Sequence, residues 1–201
     1  MKKTQLFTTK NLVRMALMAS IASVLMYFEF PLPFLAPDFY RMDFSEVPVL
    51  VAGFMMGPLA AVCVELLKIL IIFFIKGSYT AGVGELANFL TGCVLVLPPV
   101  LLMQGQPSKK RLVVGSVVGV LLLMLAAGLL NYFLLLPLYA KLLQVPLEVY
   151  IQAGAALNGH IVDLKGLIVL CVLPFNLVKG ALVTTVAGIL YARIGNQLKR
   201  Y

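Results

Sequence analysis

"VPVLVAGFMMGPLAAVCVELLKILIIFFI", residues 47–75, is a single apolar run interrupted by Gly57-Pro58. The fold turns on whether it is one membrane segment or two. A proline removes a backbone donor and tends to end a helix, but the charge pattern elsewhere decides the matter. Lys2, Lys3, Lys10 and Arg14 precede the first apolar stretch, Lys109-Lys110-Arg111 form one cluster, and Arg193, Lys199 and Arg200 close the chain. No Asp or Glu lies among these residues. The positive-inside rule places all three clusters on the cytoplasmic side, so an even number of crossings must separate consecutive clusters. Between residues 15 and 108 the clear long spans number only three, so 47–75 counts as two segments broken at Gly57-Pro58.

Composition sets the same frame. The 201 residues are 62% hydrophobic and 12% charged, with a mean hydropathy of +1.02. A soluble domain of this size could not hide that much apolar surface, so lipid is the solvent for most of it. The fold expected is an all-α integral membrane protein of six transmembrane helices with both termini cytoplasmic, a single domain over residues 1–201. The helices fall near 12–30, 46–56, 58–75, 84–104, 111–140 and 166–195, and the loops 31–45, 76–83 and 141–165 lie outside. Basic residues followed by an apolar core resemble a signal peptide, but this core is long and is read as a retained first span. The net charge of +8 is accounted for by topology, and no ordered basic and aromatic surface points to nucleic acid. Cys63, Cys93 and Cys171 share no metal spacing and read as small packing residues.

The sixth span holds "PFNLVKG", residues 174–180. A lysine near a bilayer centre costs about 2.5–3.5 kcal/mol on insertion scales. Asn176 and Lys179 are spaced to share one helix face, and Pro174 frees a backbone carbonyl one turn earlier. Lys179 either snorkels to the interface or faces a functional cavity, the default for an intramembrane ionisable residue. Rising about 1.5 Å per residue, the fifth helix carries Asn131 roughly 30 Å from its inner end. Asn176 lies about 15 Å below the outer end of the sixth, so both belong to the outer half.

The first outer loop, "PLPFLAPDFYRMDFSEVP", combines three early prolines with Phe34, Phe39, Tyr40, Met42 and Phe44. It reads either as a lid over a flat ligand or as an aromatic belt in the headgroup region. After "GSYTAGVG", Glu85 and Asn88 enter the fourth helix on one face near the outer surface. Glu65 and Lys68 are spaced to neutralise each other. His160, the only histidine, has no partner at a metal-ligand spacing. Small residues recur four apart in the first helix, Ala16 with Ser20 and Ala19 with Ser23, allowing close helix contact within the chain or with another protein. Gly115 and Gly119 do the same in the fifth. The chain has no nucleotide-binding glycine loop, no H-E-x-x-H, and no serine or cysteine with a convincing histidine partner.

With "PDFYRMDFSEVPVLVAGFMMGPLAAVCVELLK", "GVGELANFL", "NYFLLLPLY" and "PFNLVKG" in this order, the chain resembles the riboflavin-specific substrate-binding subunits of energy-coupling factor (ECF) transporters. The resemblance covers nearly the whole sequence and weakens in 104–112 and 141–165. It implies a non-enzymatic, multi-pass cell-membrane protein that binds riboflavin as transported ligand near the extracellular side, with no resident cofactor or metal. Its implied partners are an ECF transmembrane coupling protein and two ATPase subunits. By motif match, Asn131, Asn176 and Lys179 would hydrogen-bond the isoalloxazine ring or the ribityl chain. Phe39, Tyr40 and Met42 would cover it, with Asp43, Glu85 and Asn88 also among the ligand-binding residues. The small residues Ala16, Ala19, Ser20 and Ser23 would form the docking face for the membrane partner. Two alternatives stay open: a subunit of the same family for another vitamin such as folate or thiamine, and a small intramembrane enzyme acting on lipid.

Overall fold

The structure, a computed structural model, describes residues 7–198 except 79 and 106, with side chains to residue 193. Lys2, Lys3, Lys199 and Arg200 of the basic clusters lie outside the described residues.

The first helix, α1, runs Thr9–Tyr27, three residues earlier at each end than the apolar window suggests. Thr8 caps it by accepting a hydrogen bond from the Asn11 backbone N–H. The following loop is not irregular throughout. Phe30–Pro31 (β1) and Arg41–Met42 (β2) pair antiparallel, Phe30 opposite Met42, and make a short hairpin. Helices α2, Glu46–Met56, and α3, Pro58–Lys76, are separated by Gly57. Its φ of 98° suits glycine, and Pro58 opens the next helix where no intrahelical donor is needed. Then come α4, Val83–Met103, and α5, which combines Lys109–Leu130, a π turn at Asn131–Leu135, and Leu136–Leu142. Helix α6, Leu147–Ala155, occupies part of the stretch expected to be loop. Helix α7 combines Leu164–Leu167, a π turn at Ile168–Val172, and Leu173–Leu198.

Helices α3, α4, α5 and α7 are long and apolar enough to cross a membrane. At 11 residues, α2 is about 16 Å long, half the thickness of the hydrocarbon core. It is surrounded instead: α1, α3, α4 and α7 all pack on it, and every residue from Glu46 to Gly53 is buried. A helix that is apolar all round belongs in the interior. The others form an arc, α1–α3–α4–α5–α7, around it. Their large apolar side chains outside the core, such as Leu17, Phe74, Leu121 and Ile189, point outward.

The small-residue stripes divide. Ala19 and Ser23 are buried, and the Ser23 hydroxyl donates to the carbonyls of Ala19 and Lys68, so this pair packs α1 onto α3. Ala16 and Ser20 are exposed. Gly115 and Gly119 let α5 lie directly on the α4 backbone at Pro99 and Leu95. The basic residues Lys10, Arg14, Lys109, Lys110, Arg111 and Arg193 gather at one end of the bundle, where α1 and α5 begin and α7 ends.

Candidate ligand cavity

At the opposite end, above the N-terminus of α2, lies a cavity of about 1040 Å³. The ends of α1 and α3, the hairpin, the start of α4, the second half of α5 and the first half of α7 enclose it, with Tyr150 of α6 at one side.

Two π turns shape its far wall, and each directly precedes a proline. The N–H of Leu136, before Pro137, donates to Asn131 five residues back; the N–H of Leu173, before Pro174, donates to Ile168 in the same way. Each proline lacks a donor and crowds the carbonyl one turn earlier, and the extra residue of a π turn absorbs that conflict without breaking the helix. Asn131 starts the first π turn and Asn176 follows the second. Each donates its side-chain amide to the carbonyl four residues earlier, Asn131 to Ala127 at 2.9 Å and Asn176 to Val172 at 2.8 Å. Both amides are thereby fixed in orientation while lining the cavity.

Aromatic rings form the sides. Phe39 lies tilted at 47° and 4.7 Å from Tyr40 and edge-on at 5.4 Å from Tyr150, and Tyr40 lies 5.9 Å from Phe175. The Tyr40 hydroxyl donates to Asn131 Oδ1 at 2.9 Å, and burial pushes its pKa up. Arg41 and Met42 alternate, as adjacent strand residues must. Arg41 lines the cavity, whereas Met42, 1% exposed, points into an apolar cluster with Ala36, Leu136 and Ile161. The expected Met42 cover is therefore corrected: it supports the hairpin from behind.

At the mouth, Lys76 pairs with Glu29 at 2.9 Å and lies over the Tyr27 ring. Glu85 lines the cavity but is engaged by its own loop, since its Oε2 accepts from Ser78 at 2.9 Å and Thr80 at 3.3 Å. Asn88 lines the same wall, and Thr91, one turn further, continues its face.

The floor is ionic. Lys179 Nζ lies 3.0 Å from Asp43 Oδ2 and 3.6 Å from Glu46 Oε1. Beneath it Lys68 Nζ lies 3.5 Å from Glu46 Oε1 and 2.8 Å from Glu65 Oε1, and donates to Ser45 Oγ at 3.1 Å. The expected Glu65–Lys68 pair is thus one part of a chain of three carboxylates and two ammoniums. Glu65 fits because it packs against Gly92 of α4, where any side chain would collide with its carboxylate. For Asp43, burial alone would raise the carboxyl pKa; Lys179, then Lys68, and hydrogen bonds from Ser45 outweigh it and hold it at about 2.

Of the residues singled out in the sequence, Asn131, Asn176, Lys179, Phe39, Tyr40, Asp43, Glu85 and Asn88 line this one cavity. Tyr139, Tyr150, Phe175 and Thr91 line it too without having been singled out; Glu46, also not singled out, lies beneath, where Lys68 reads from the sequence only as the partner of Glu65. Thr91 was legible from its spacing to Asn88. Phe175 stands beside Asn176 but was absorbed into the apolar run.

Chemically, the arrangement suits a flat ligand: rings to contact its faces, and oriented amides and an ammonium to serve acceptors along an edge. The comparisons agree with a transport role. The chain is 35% identical to the riboflavin transporter RibU of Staphylococcus aureus over 99% of its length and 97% of that protein's. It is 36% identical to the riboflavin transporter FmnP of Bacillus subtilis over 92% of both. A solved S component of a bacterial ECF transporter superposes with a TM-score of 0.72 at 32% identity, covering 94% of this chain and 98% of that one. The family model for the substrate-specific component of ECF transporters matches residues 10–191. With fold, cavity and these likenesses in agreement, the chain belongs to the ECF transporter substrate-specific component family.

Proposed function

We propose that this protein is the riboflavin-binding subunit of an ECF-type vitamin importer. The observation that carries the reading is the cavity itself. Aromatic rings from the hairpin, α5, α6 and α7 line its sides, and Asn131, Asn176 and Lys179 converge on it as oriented donors. An isoalloxazine ring is flat and apolar on its faces, with carbonyl and nitrogen acceptors along one edge. Asn176 and Lys179 serve that edge; Phe39 and Tyr40 cover a face; Glu85 and Asn88 stand near the ribityl hydroxyls. The riboflavin transporters of S. aureus and B. subtilis support the choice of vitamin.

The chain crosses the membrane six times, through α1, α2, α3, α4, α5 and α7. The short α2 crosses within a sheath of protein, where water and lipid need not meet its ends. Basic residues at the end opposite the cavity support a topology with both termini cytoplasmic and the cavity open to the outside. A separate membrane coupling protein and two ATPases energise uptake, and the exposed Ala16–Ser20 side of α1 is the docking face.

Titration of the detergent-solubilised protein with riboflavin tests this. Flavin fluorescence is expected to quench with a stoichiometry of one per chain. Asn176→Leu is expected to weaken binding by roughly tenfold, because a buried ligand acceptor left unpaired costs about 1–3 kcal/mol. Unchanged fluorescence, with clear binding of folate or thiamine instead, overturns the choice of vitamin.

A further inference from the structure

Resting on the riboflavin reading above, we infer that Asp43 is a positioning residue. It makes no ligand contact of its own and acts by holding the Lys179 ammonium at a fixed point on the cavity floor.

Both carboxylate oxygens of Asp43 are already committed. Oδ1 accepts the Ser45 backbone N–H at 2.8 Å and Oδ2 accepts from Lys179 at 3.0 Å. Its side chain is 5% exposed, against 13% for Lys179, so the lysine and not the aspartate presents a free donor to the cavity. Asp43 is itself held from both sides. It follows directly on β2, paired to β1, and stands two residues from Ser45, the residue just before α2. A lysine head on its four-carbon stem would otherwise sample many rotamers or turn toward the interface. Here it lies between Asp43 and Glu46, and Glu46 is shared with Lys68. The ammonium has three N–H donors; Asp43 accepts one at 3.0 Å and the Glu46 charge at 3.6 Å draws the head the same way, which leaves donors free toward the cavity. Ordering that side chain before the ligand arrives removes an entropic cost from binding.

A double-mutant cycle tests the inference, with riboflavin affinity measured for wild type, Asp43→Asn, Lys179→Met and the double variant. The amide keeps one oxygen to accept from Ser45 and puts an uncharged NH2 group where the carboxylate oxygen accepted from Lys179, so the restraint on the lysine is removed. Asp43→Asn is expected to weaken binding about tenfold on the wild-type background and less than twofold on the Lys179→Met background. Equal losses on both, which would mark a direct contact, or no loss on either, overturn the inference. Asp43→Glu, keeping the carboxylate, is expected to stay within threefold of wild type; a loss matching that of Asp43→Asn counts against it.

A second readout needs no flavin. In ligand-free protein, acetylation of Lys179 mapped by mass spectrometry is expected to run several-fold slower than that of the exposed Lys141 and Lys165, and to accelerate several-fold in Asp43→Asn. Should Asp43→Asn not be recovered folded, wild type and Asp43→Glu carry the comparison, with slow Lys179 labelling expected in both. Fast labelling of Lys179 in wild type, or no acceleration in Asp43→Asn, overturns the inference even where riboflavin binds. Slow labelling in a wild type that does not bind riboflavin removes the riboflavin reading and leaves the Asp43–Lys179 restraint standing.

Discussion

Lys68→Met isolates the buried charge chain from the ligand, because Lys68 lies beneath the floor and does not line the cavity. The chain formally carries Asp43, Glu46 and Glu65 against Lys68 and Lys179, a surplus of one negative charge. Removing Lys68 raises the surplus to two and strands Glu65, which is 0% exposed and whose only ion-pair partner among the described residues is Lys68. Breaking a buried pair from one side costs about 3–5 kcal/mol. At roughly 2–4 °C per kcal/mol for a chain of this size, Tm should fall by about 6–20 °C. Glu65→Gln acts in the other direction on charge, bringing the sum to zero while Lys68 keeps Ser45 and Glu46. It should cost only about 1 kcal/mol, the ordinary worth of one lost hydrogen bond. The double variant Lys68→Met/Glu65→Leu restores the original surplus with apolar groups and should lie within about 1 kcal/mol of wild type, or above it. Thermal unfolding in detergent without ligand measures all three, since bound vitamin would add its own stabilisation. A Lys68→Met protein within about 2 °C of wild type, or a double variant as unstable as the single, refutes the charge count.

Ala16→Leu and Ser20→Leu add bulk to the exposed side of α1, and should lower vitamin uptake in cells while leaving Tm and riboflavin binding of the isolated subunit near wild type. Ala19→Leu, at a position with 0% exposure, should instead cost about 1–3 kcal/mol by overpacking and depress binding and uptake together; the opposite assignment of the two sides would show as the reverse pattern. Asp43, held at about 2 against an ordinary 3.8, contributes stability that is present above pH 3.8 and is lost as pH falls toward 2. Tm scanned from pH 8 to 2 should show no effect of this group until below pH 4, and Asp43→Asn should flatten that acid limb.

Local chemistry was legible in the sequence and long-range pairing was not. Gly57-Pro58 carries its own reason for a helix break, and "PFNLVKG" announces a cavity because no lipid-facing segment keeps an amide and a cation together. The partner of Lys179 lies 136 residues away in sequence, and nothing in either segment encodes the other. Met42 and Arg41 were indistinguishable while the prolines before them argued for irregular chain. Two paired residues on each side were enough to impose alternation and send one side chain inward. Ala16, Ala19, Ser20 and Ser23 offered two stripes at the same spacing, and only packing against α3 says which is internal. Helix α6 was missed because nine residues between Pro146 and the turn at Asn158-Gly159 resemble loop as much as helix.

The feature that looked least like a membrane span explains how the surplus carboxylate is tolerated. Glu46 opens α2, and the backbone N–H groups at a helix start, with the macrodipole behind them, favour negative charge there. In a helix long enough to reach water at both ends, that effect is screened and worth only a few tenths of a kcal/mol. Because α2 is short and enclosed by α1, α3, α4 and α7, its N-terminus lies inside the bundle. There the same interaction reaches up to about 2 kcal/mol in favourable, partly buried geometry. That supplies positive potential to Glu46 where Lys68 and Lys179 must each be shared between carboxylates. It also leaves Lys179 from needing to neutralise Glu46 alone, so its head can stay at Asp43, facing the cavity. Lengthening α2 by a turn at its start would take Glu46 out of the first turn and carry Asp43 away from Lys179, so its short length and the geometry of the cavity floor are one constraint.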